Sequence, residues 1–175
     1  MRYEYLIAGL PELKSSMAAP LTMETLETQL DELLSDQDKE QLRLLRHHAS
    51  YGTCKFIQDW YAFNRDLNNS LTIEICKKHN LDIRKHIVGE APDDVDAEVK
   101  SVSKMENLFE REKAIDALRF AWLENRTSNS DFELQNVLAY WLELQMLNRW
   151  SVLTTEEGEK VFRMIVADMK KGVRL

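Results

Sequence analysis

Apolar side chains recur along residues 56–71 at the spacing of an α-helix and predict the central helix of the chain. At about 3.6 residues per turn they form one broad stripe on a single face. The helix is expected to run to about His79, with Asn80 as its C-terminal cap, because asparagine tolerates the left-handed conformation that ends many helices. The stripe consists of Phe56, Ile57, Trp60, Phe63, Leu67 and Leu71.

The N-terminal segment 3–11 has an ambiguous pattern. Tyr3, Tyr5 and Ile7 alternate like the residues of a strand, but an otherwise helical chain has no sheet for a strand to join. We therefore expect an extended or short helical segment that lies across the helices and is anchored by its two tyrosines.

Capping residues mark two helices before the central one. Thr22 can cap the first, and Ser35 with Asp38 resembles a capping box for a second helix that begins at Asp36 and ends at about Ser50. The expected apolar faces are Leu26, Leu30 and Leu33 or Leu34 in the first helix, and Leu42 and Leu45 in the second.

Further helices are predicted in the second half of the chain. Pro92 lies near the first position of the earliest, and a polar turn at 125–130 precedes the most apolar one. Thr154 with Glu157 forms a capping box that begins a final helix. The three helices before it are expected at about 93–103, 105–124 and 132–150.

Together these elements predict an all-α protein of six or seven helices in one compact, bundle-like domain, 1–175. Five glycines and three prolines are few for the turns that a many-stranded sheet requires, and the chain is long enough to bury a core. The loop Gly-Glu-Ala-Pro at 89–92 is the best place to divide the domain into two lobes, 1–90 and 91–175.

Charge and cysteine content narrow the classes of function and the compartment. A net charge of -7 argues against nonspecific nucleic-acid binding. The two cysteines, Cys54 and Cys76, are too few for a disulfide scaffold and are expected to be reduced thiols. No apolar run is long enough to cross a bilayer and no signal-peptide pattern occurs, so we expect a cytoplasmic protein without direct membrane insertion.

The sequence lacks the common motifs for metal binding and covalent catalysis. None of the four histidines has a glutamate three residues before it, and neither Cys-x-x-Cys nor His-Glu-x-x-His occurs. Cys76, His79 and His86 could meet as a zinc site, but an ordinary helix end explains them and no metal is expected. Since no strained nucleophile turn or phosphate-binding glycine loop is present, we also expect no cofactor and no catalysis.

Unusual polar positions lie beside the apolar stripe of the central helix and inside the apolar face of the 105–124 helix. Asparagine competes for backbone hydrogen bonds within a helix, so these side chains are expected to have partners. They form either an internal network, in which Arg65 pairs with Glu112 or Asp116, or a docking face for another protein. Trp150, at a helix end, is the tryptophan expected nearest the surface. The polar set is Asn64, Arg65, Asn68, Asn69, Glu112, Asp116 and Arg119.

Four sequence blocks resemble an uncharacterised bacterial family that is encoded among the subunits of V-type (archaeal or vacuolar-like) ATPases. The first block is a tyrosine-rich start that ends in Leu-Pro. The second block contains the motif FNRDLNN, which is also similar to helices in the C subunit (also called d) of these ATPases. The blocks are YEYLIAGLP, then WYAFNRDLNNSLTIEICKKHNLD with the following IVGE, then MENLFEREKAIDALRFAWLEN, then VLAYWLELQMLNRWSVLTTEEGEKVF.

The resemblance implies a non-catalytic coupling protein that contacts the rotor shaft, the membrane ring or both, and is held at the inner membrane through other subunits. A full C subunit is longer and built from several similar helical lobes, so this chain would supply part of such a structure. Two alternatives stay open: a freestanding helical assembly factor or regulator, and a small helical enzyme whose pocket holds several titratable groups.

Overall fold

The computed structural model describes residues 3–49, 51–92, 94–128 and 133–153, which form seven α-helices and one short 3₁₀ helix and contain no strand. The protein is therefore all-α, as the sequence predicts. The final helix predicted after Thr154 lies outside the described residues. The α-helices are α1 (Glu4–Gly9), α2 (Met23–Leu33), α3 (Asp36–Arg46), α4 (Lys55–His79), α5 (Ala97–Ser103), α6 (Leu108–Thr127) and α7 (Leu134–Val152), and the 3₁₀ helix is Ile83–Lys85.

Side-chain caps set the starts of α2 and α3, as predicted. The hydroxyls of Thr22 and Ser35 each accept a hydrogen bond from the backbone N–H three residues further on, at 3.2 Å in both cases. α3 ends at Arg46, short of the predicted boundary near Ser50, because the backbone at His48 is left-handed, with φ of 52°.

The end of α2 decides which of two leucines enters the core. Leu34 is 5% exposed, whereas Leu33 is 54% exposed. The helix ends at Leu33 and the backbone of Leu34 is already extended, so its side chain is out of helical phase. This change of direction places Leu34 in the same core cluster as Leu30.

The N-terminal segment is held by one tyrosine rather than by two. Tyr3 is buried, and its hydroxyl donates a hydrogen bond to the carboxylate of Asp38 in α3. Tyr5, in the short helix α1, is 96% exposed, so the expected anchoring by both tyrosines is wrong. Tyr3 lies just before α1 and Tyr5 lies within its first turn, so their side chains leave the chain in different directions.

α4 is the long central helix that the apolar stripe predicts. It runs for 25 residues to His79 and is capped by Asn80, whose backbone is left-handed with φ of 52°. Four members of the stripe are buried, and Phe63 and Leu71 are partly buried. The buried members are Phe56, Ile57, Trp60 and Leu67.

Two helices begin later than their sequence patterns predict, because side-chain caps decide where they start. α5 begins at Ala97, where the Asp96 carboxylate accepts a hydrogen bond from a first-turn N–H at 2.7 Å, and not beside Pro92. α6 begins at Leu108, where the Asn107 side chain accepts bonds from two first-turn N–H groups at 2.9 and 3.3 Å.

α6 continues to Thr127, through part of the segment that was expected to be a polar turn. Arg126 in this extra turn forms an ion pair with Asp59 of α4, and its guanidinium lies 5.7 Å from the centre of the Trp122 ring. Tertiary contacts therefore extend the helix beyond the point at which local composition favours a turn.

α7 is heavily packed, as its nearly all-round apolar pattern predicts. Eight of its nineteen residues are buried, and the indole N–H of Trp141 donates a hydrogen bond to Glu27 of α2 at 3.2 Å. None of the helices in the described ranges is both long and apolar enough to cross a membrane.

The buried apolar side chains form two clusters that share α4 and α6. The larger cluster combines residues of α1 to α4, α6 and α7, and so joins sequence from both sides of residue 90. The smaller cluster lies between the second half of α4, α5 and the first half of α6. Phe63 packs against both clusters, so the middle of α4 lies where they meet.

Leu30→Ala is expected to lower the free energy of unfolding by about 2–5 kcal/mol, because it leaves a cavity in the core. Leu30 is 0% exposed, whereas Leu33 of the same helix is 54% exposed and provides the matched control. Leu33→Ala should change the free energy of unfolding by no more than about 0.5 kcal/mol. Urea unfolding followed by circular dichroism measures both values, and equal losses would contradict the exposed position of Leu33.

Candidate functional site

A cleft of about 600 Å³ opens between α4, α6 and α7, with the end of α3 at its rim. This size falls within the range of about 300–1,000 Å³ that is typical of small-molecule sites. Its lining combines apolar and aromatic walls with a group of polar side chains. The apolar and aromatic residues are Leu45, Trp60, Tyr61, Trp141, Leu142 and Met146, and the polar residues are His48, Asn64, Asp116, Arg119, Gln145 and Arg149.

A chain of hydrogen bonds joins α4 to α6 at the polar side of the cleft. Nε of Arg119 donates to Oδ1 of Asn64 at 3.0 Å, and Nδ2 of Asn64 donates to the backbone carbonyl of Trp60 at 2.9 Å. Nη1 of Arg119 also donates to Oδ1 of Asp116, one turn earlier in α6, at 2.8 Å. Asn64 is thus satisfied both within its helix and across to α6, which compensates for its low helix propensity.

Asp116 extends this chain of contacts to α7. Its Oδ2 accepts hydrogen bonds from Nη2 of Arg149 at 2.5 Å and from Nε1 of Trp150 at 2.8 Å. With Arg119, three donors therefore hold a carboxylate whose residue is only 3% exposed. A buried carboxylate is strongly unfavourable unless it is paired, so these contacts are a condition of the fold. We call Asn64, Asp116, Arg119, Arg149 and Trp150 the Asp116 network.

Arg65 lies outside the Asp116 network, and its predicted pairing with Glu112 or Asp116 is wrong. Nε of Arg65 instead donates to the neighbouring Asp66 at 2.9 Å, on an exposed side of α4. Consecutive residues of a helix point about 100° apart. When Asn64 faces α6, Arg65 is therefore turned towards solvent.

The other two asparagines of α4 have different surroundings. Asn69 is 3% exposed and holds the loop that leads to α5: its Nδ2 donates to the carbonyl of Val88 at 2.8 Å, and its Oδ1 accepts from the N–H of Val88 at 3.0 Å. Asn68 is exposed and, together with Glu112, lines a smaller pocket of about 190 Å³. The predicted polar set is therefore divided between a network, a loop contact and the surface.

Arg149 and the aromatic walls of the cleft were not among the predicted site residues. Trp150 is partly exposed, as is Trp122, but its indole N–H is committed to Asp116 and its ring lies edge-on to Phe109, with 5.3 Å between the ring centres. The sequence does place the cationic Arg149 next to Trp150, an aromatic hydrogen-bond donor, at the end of α7. Nothing local to that segment indicates which helix it meets.

The end of α4 brings no zinc-binding set together in the described ranges. Cys76 is buried, whereas His79 and His86 are exposed. Across the described part of the chain, no three histidine, cysteine, aspartate or glutamate side chains lie close enough to hold a metal ion. Cys54 and Cys76 are both free thiols.

Among the carboxyl groups of the described residues, Glu143 of α7 has the most strongly raised pKa. Burial, and to a smaller extent the negative charge of Glu124 on α6, raise its pKa to about 8. Burial and the charge of Glu143 together raise the pKa of Tyr140 to about 12. Glu143 does not line the cleft, so it makes stability depend on pH without belonging to the candidate site.

Comparison with known proteins gives one match. Residues 90–173, just under half of the chain, match the model of a family described as a protein of unknown function (DUF2764). No curated protein and no solved structure matches the chain. The matched region contains every member of the Asp116 network except Asn64.

Asn64→Leu is expected to lower the free energy of unfolding by about 1–3 kcal/mol, because it removes the acceptor for Nε of Arg119 from a partly buried site. Asn68→Leu is the matched control, since Asn68 is exposed on the same helix and leucine is the better helix former. Urea unfolding of both variants measures the difference. If Asn64→Leu is as stable as Asn68→Leu, the Asp116 network does not support the fold.

Protonation of Glu143 is expected to stabilise the protein below about pH 8. Because its pKa is raised on folding, the folded state holds a proton that the unfolded chain releases, and stability falls as pH rises. The fall attributable to this group is on the order of 1 kcal/mol per pH unit between about pH 5 and 8. Glu143→Gln should abolish it and be more stable than the wild type at pH 8.

Urea unfolding at several pH values tests this expectation. Glu124→Gln is the informative control, since it removes only the smaller cause of the shift and should reduce the pH dependence without abolishing it. The same slope of stability against pH in wild type and Glu143→Gln would assign the dependence to another group.

Proposed function

We propose that this protein is a non-catalytic interaction protein that associates with a V-type ATPase and acts like part of its central-stalk C (d) subunit, where the rotor shaft meets the membrane ring. Its action would rest on shape and helix packing. A freestanding helical assembly factor or regulator, which meets the ATPase only transiently, is the alternative.

The observation that carries the proposal is the position of the Asp116 network in the sequence. Asn64 belongs to the FNRDLNN motif, and the other four members belong to the blocks at 105–125 and 137–162. These are blocks in which the chain resembles the ATPase-associated family. The residues that carry the resemblance thus include those that hold α4, α6 and α7 together.

The hydrogen bonding of Asp116 favours binding over proton transfer. A general base needs an oxygen directed at the proton it removes, whereas both oxygens of Asp116 are directed at donors on Arg119, Arg149 and Trp150. The enzyme alternative has one specific observation in its favour, because the same carboxylate borders an open cleft. Because both oxygens of Asp116 already accept hydrogen bonds from other side chains, we place the interaction protein first.

The exposed sides of α4 and α6 offer a surface for the ATPase. Asn68 and Glu112 border the 190 Å³ pocket, and Ile75 beside them is 44% exposed. Arg65, also exposed, lies one turn before Asn68 on α4. Interfaces commonly place polar side chains around a small apolar centre, and this surface has that composition.

Affinity purification from native cells in mild detergent, with mass spectrometry of the co-purifying proteins, tests the proposal. We expect ATPase subunits in a fixed ratio to the tagged protein. Asn68→Lys should reduce their recovery by placing a long charged side chain in the proposed surface. Ala117→Lys is the matched control, because Ala117 is also exposed but points away from the pocket on α6.

Two outcomes would change the conclusion. Recovery of the tagged protein alone, with the ATPase intact elsewhere in the lysate, would overturn the association. Recovery of ATPase subunits in variable, less than equimolar amounts and only with incomplete assemblies would identify an assembly factor instead of a stalk component. An equal loss of subunits in Asn68→Lys and Ala117→Lys would place the contact outside the α4 and α6 surface.

A further inference from the structure

We infer that the cleft between α4, α6 and α7 is a binding site for a small amphipathic carboxylate, with an aromatic or apolar body against the walls and its carboxylate on Arg119 and Arg149. This inference does not rest on association with an ATPase. It follows from the charges, free donors and walls of the cleft.

The charged groups of the cleft leave one positive charge uncompensated. Among the described residues that line it, Arg119 and Arg149 are accompanied by a single carboxylate, that of Asp116. His48 at the rim adds no negative charge. This local excess contrasts with the net charge of -7 on the whole chain and favours an anion in the cleft.

Both guanidinium groups keep hydrogen-bond donors that the network does not use. Among the described residues, Arg119 uses Nε and Nη1 as hydrogen-bond donors and keeps Nη2, and Arg149 uses only Nη2. An arginine side chain carries donors in a planar fork that matches a carboxylate. The side chain of Arg149 is 45% exposed and that of Arg119 is 19% exposed, so both can be reached from the cleft.

The two arginines are already held in place before a ligand arrives. Asn64 and Asp116 fix Arg119 on two sides, and Arg149 is held by Asp116 and lies 5.0 Å from the centre of the Trp150 ring. A ligand therefore does not have to immobilise these long side chains, which is a large part of the entropic cost of binding. The buried aspartate positions the donors and does not itself contact the anion.

The rest of the cleft fits a flat or apolar body. Trp60, Tyr61 and Trp141 contribute aromatic surface, and Leu142 and Met146 contribute aliphatic surface. The hydroxyl of Tyr61 is occupied by the carbonyl of Leu45 at 3.2 Å, and the indole N–H of Trp141 by Glu27. These walls therefore offer mainly apolar contact, and orientation is left to the arginines.

Isothermal titration calorimetry of the full chain with naphthaleneacetate tests the inference. Naphthylmethylamine and naphthaleneethanol, which carry the same naphthalene ring with a cationic and a neutral group, are the comparison compounds. We expect naphthaleneacetate to bind about tenfold or more tightly than either. Two-dimensional NMR should show shifts of the indole N–H signals of Trp141 and Trp150 on binding. Equal affinity for the amine or the alcohol, or no heat and no indole shift at millimolar naphthaleneacetate, would overturn the inference.

Two variants locate the site. Gln145→Glu adds a negative charge at an exposed position of the cleft wall, one turn before Arg149, and should weaken naphthaleneacetate about fivefold while leaving naphthaleneethanol unchanged. Gln29→Glu, exposed on α2, is the matched control and should change neither. Arg149→Met should weaken naphthaleneacetate by about tenfold. Wild-type affinity in both Gln145→Glu and Arg149→Met would place the ligand elsewhere and overturn the inference.

Discussion

The buried carboxylate of Asp116 is the constraint on which the arrangement of α4, α6 and α7 depends. A carboxylate in an apolar interior is unfavourable by several kcal/mol, on the order of what a whole domain gains by folding, unless donors surround it. Here the donors come from α6 itself and from the end of α7. Arg119 also donates a hydrogen bond to Asn64 and so links α6 to α4. The three helices can therefore meet in one relative position that satisfies the charge, and the cleft lies at that position.

The polar residues of α4 illustrate how one helix serves several purposes. Asn64 faces α6, Asn69 holds the loop before α5, and Arg65 and Asn68 face solvent. Each direction follows from the helical turn of about 100° per residue. The motif is consequently not a single site, and a substitution within it affects either stability or the surface, depending on which of these residues is changed.

Fold and candidate site share their most important residues, which determines how function can be tested. Removing Asp116 or Asn64 is expected to weaken the fold before any ligand or partner is considered. Exposed residues next to the same features, such as Gln145 at the cleft and Asn68 at the smaller pocket, change charge and shape without changing the core. Binding of a small anion and docking of a partner can then be tested with separate variants, because Gln145 lines the cleft and Asn68 lines the smaller pocket, whereas Arg119 lines both.

The sequence by itself determined the all-α fold, the long central helix and the starts of α2 and α3, because periodicity and caps act within one or two helical turns. It also identified Asn64, Asp116 and Arg119 as residues that need partners. Tertiary structure alone decided that Arg119, and not Arg65, makes the contact between α4 and α6, and that Arg149 of α7 pairs with Asp116. The reason is geometric: one step along a helix turns a side chain by about 100°, and the packing of the whole core selects which direction meets a neighbour.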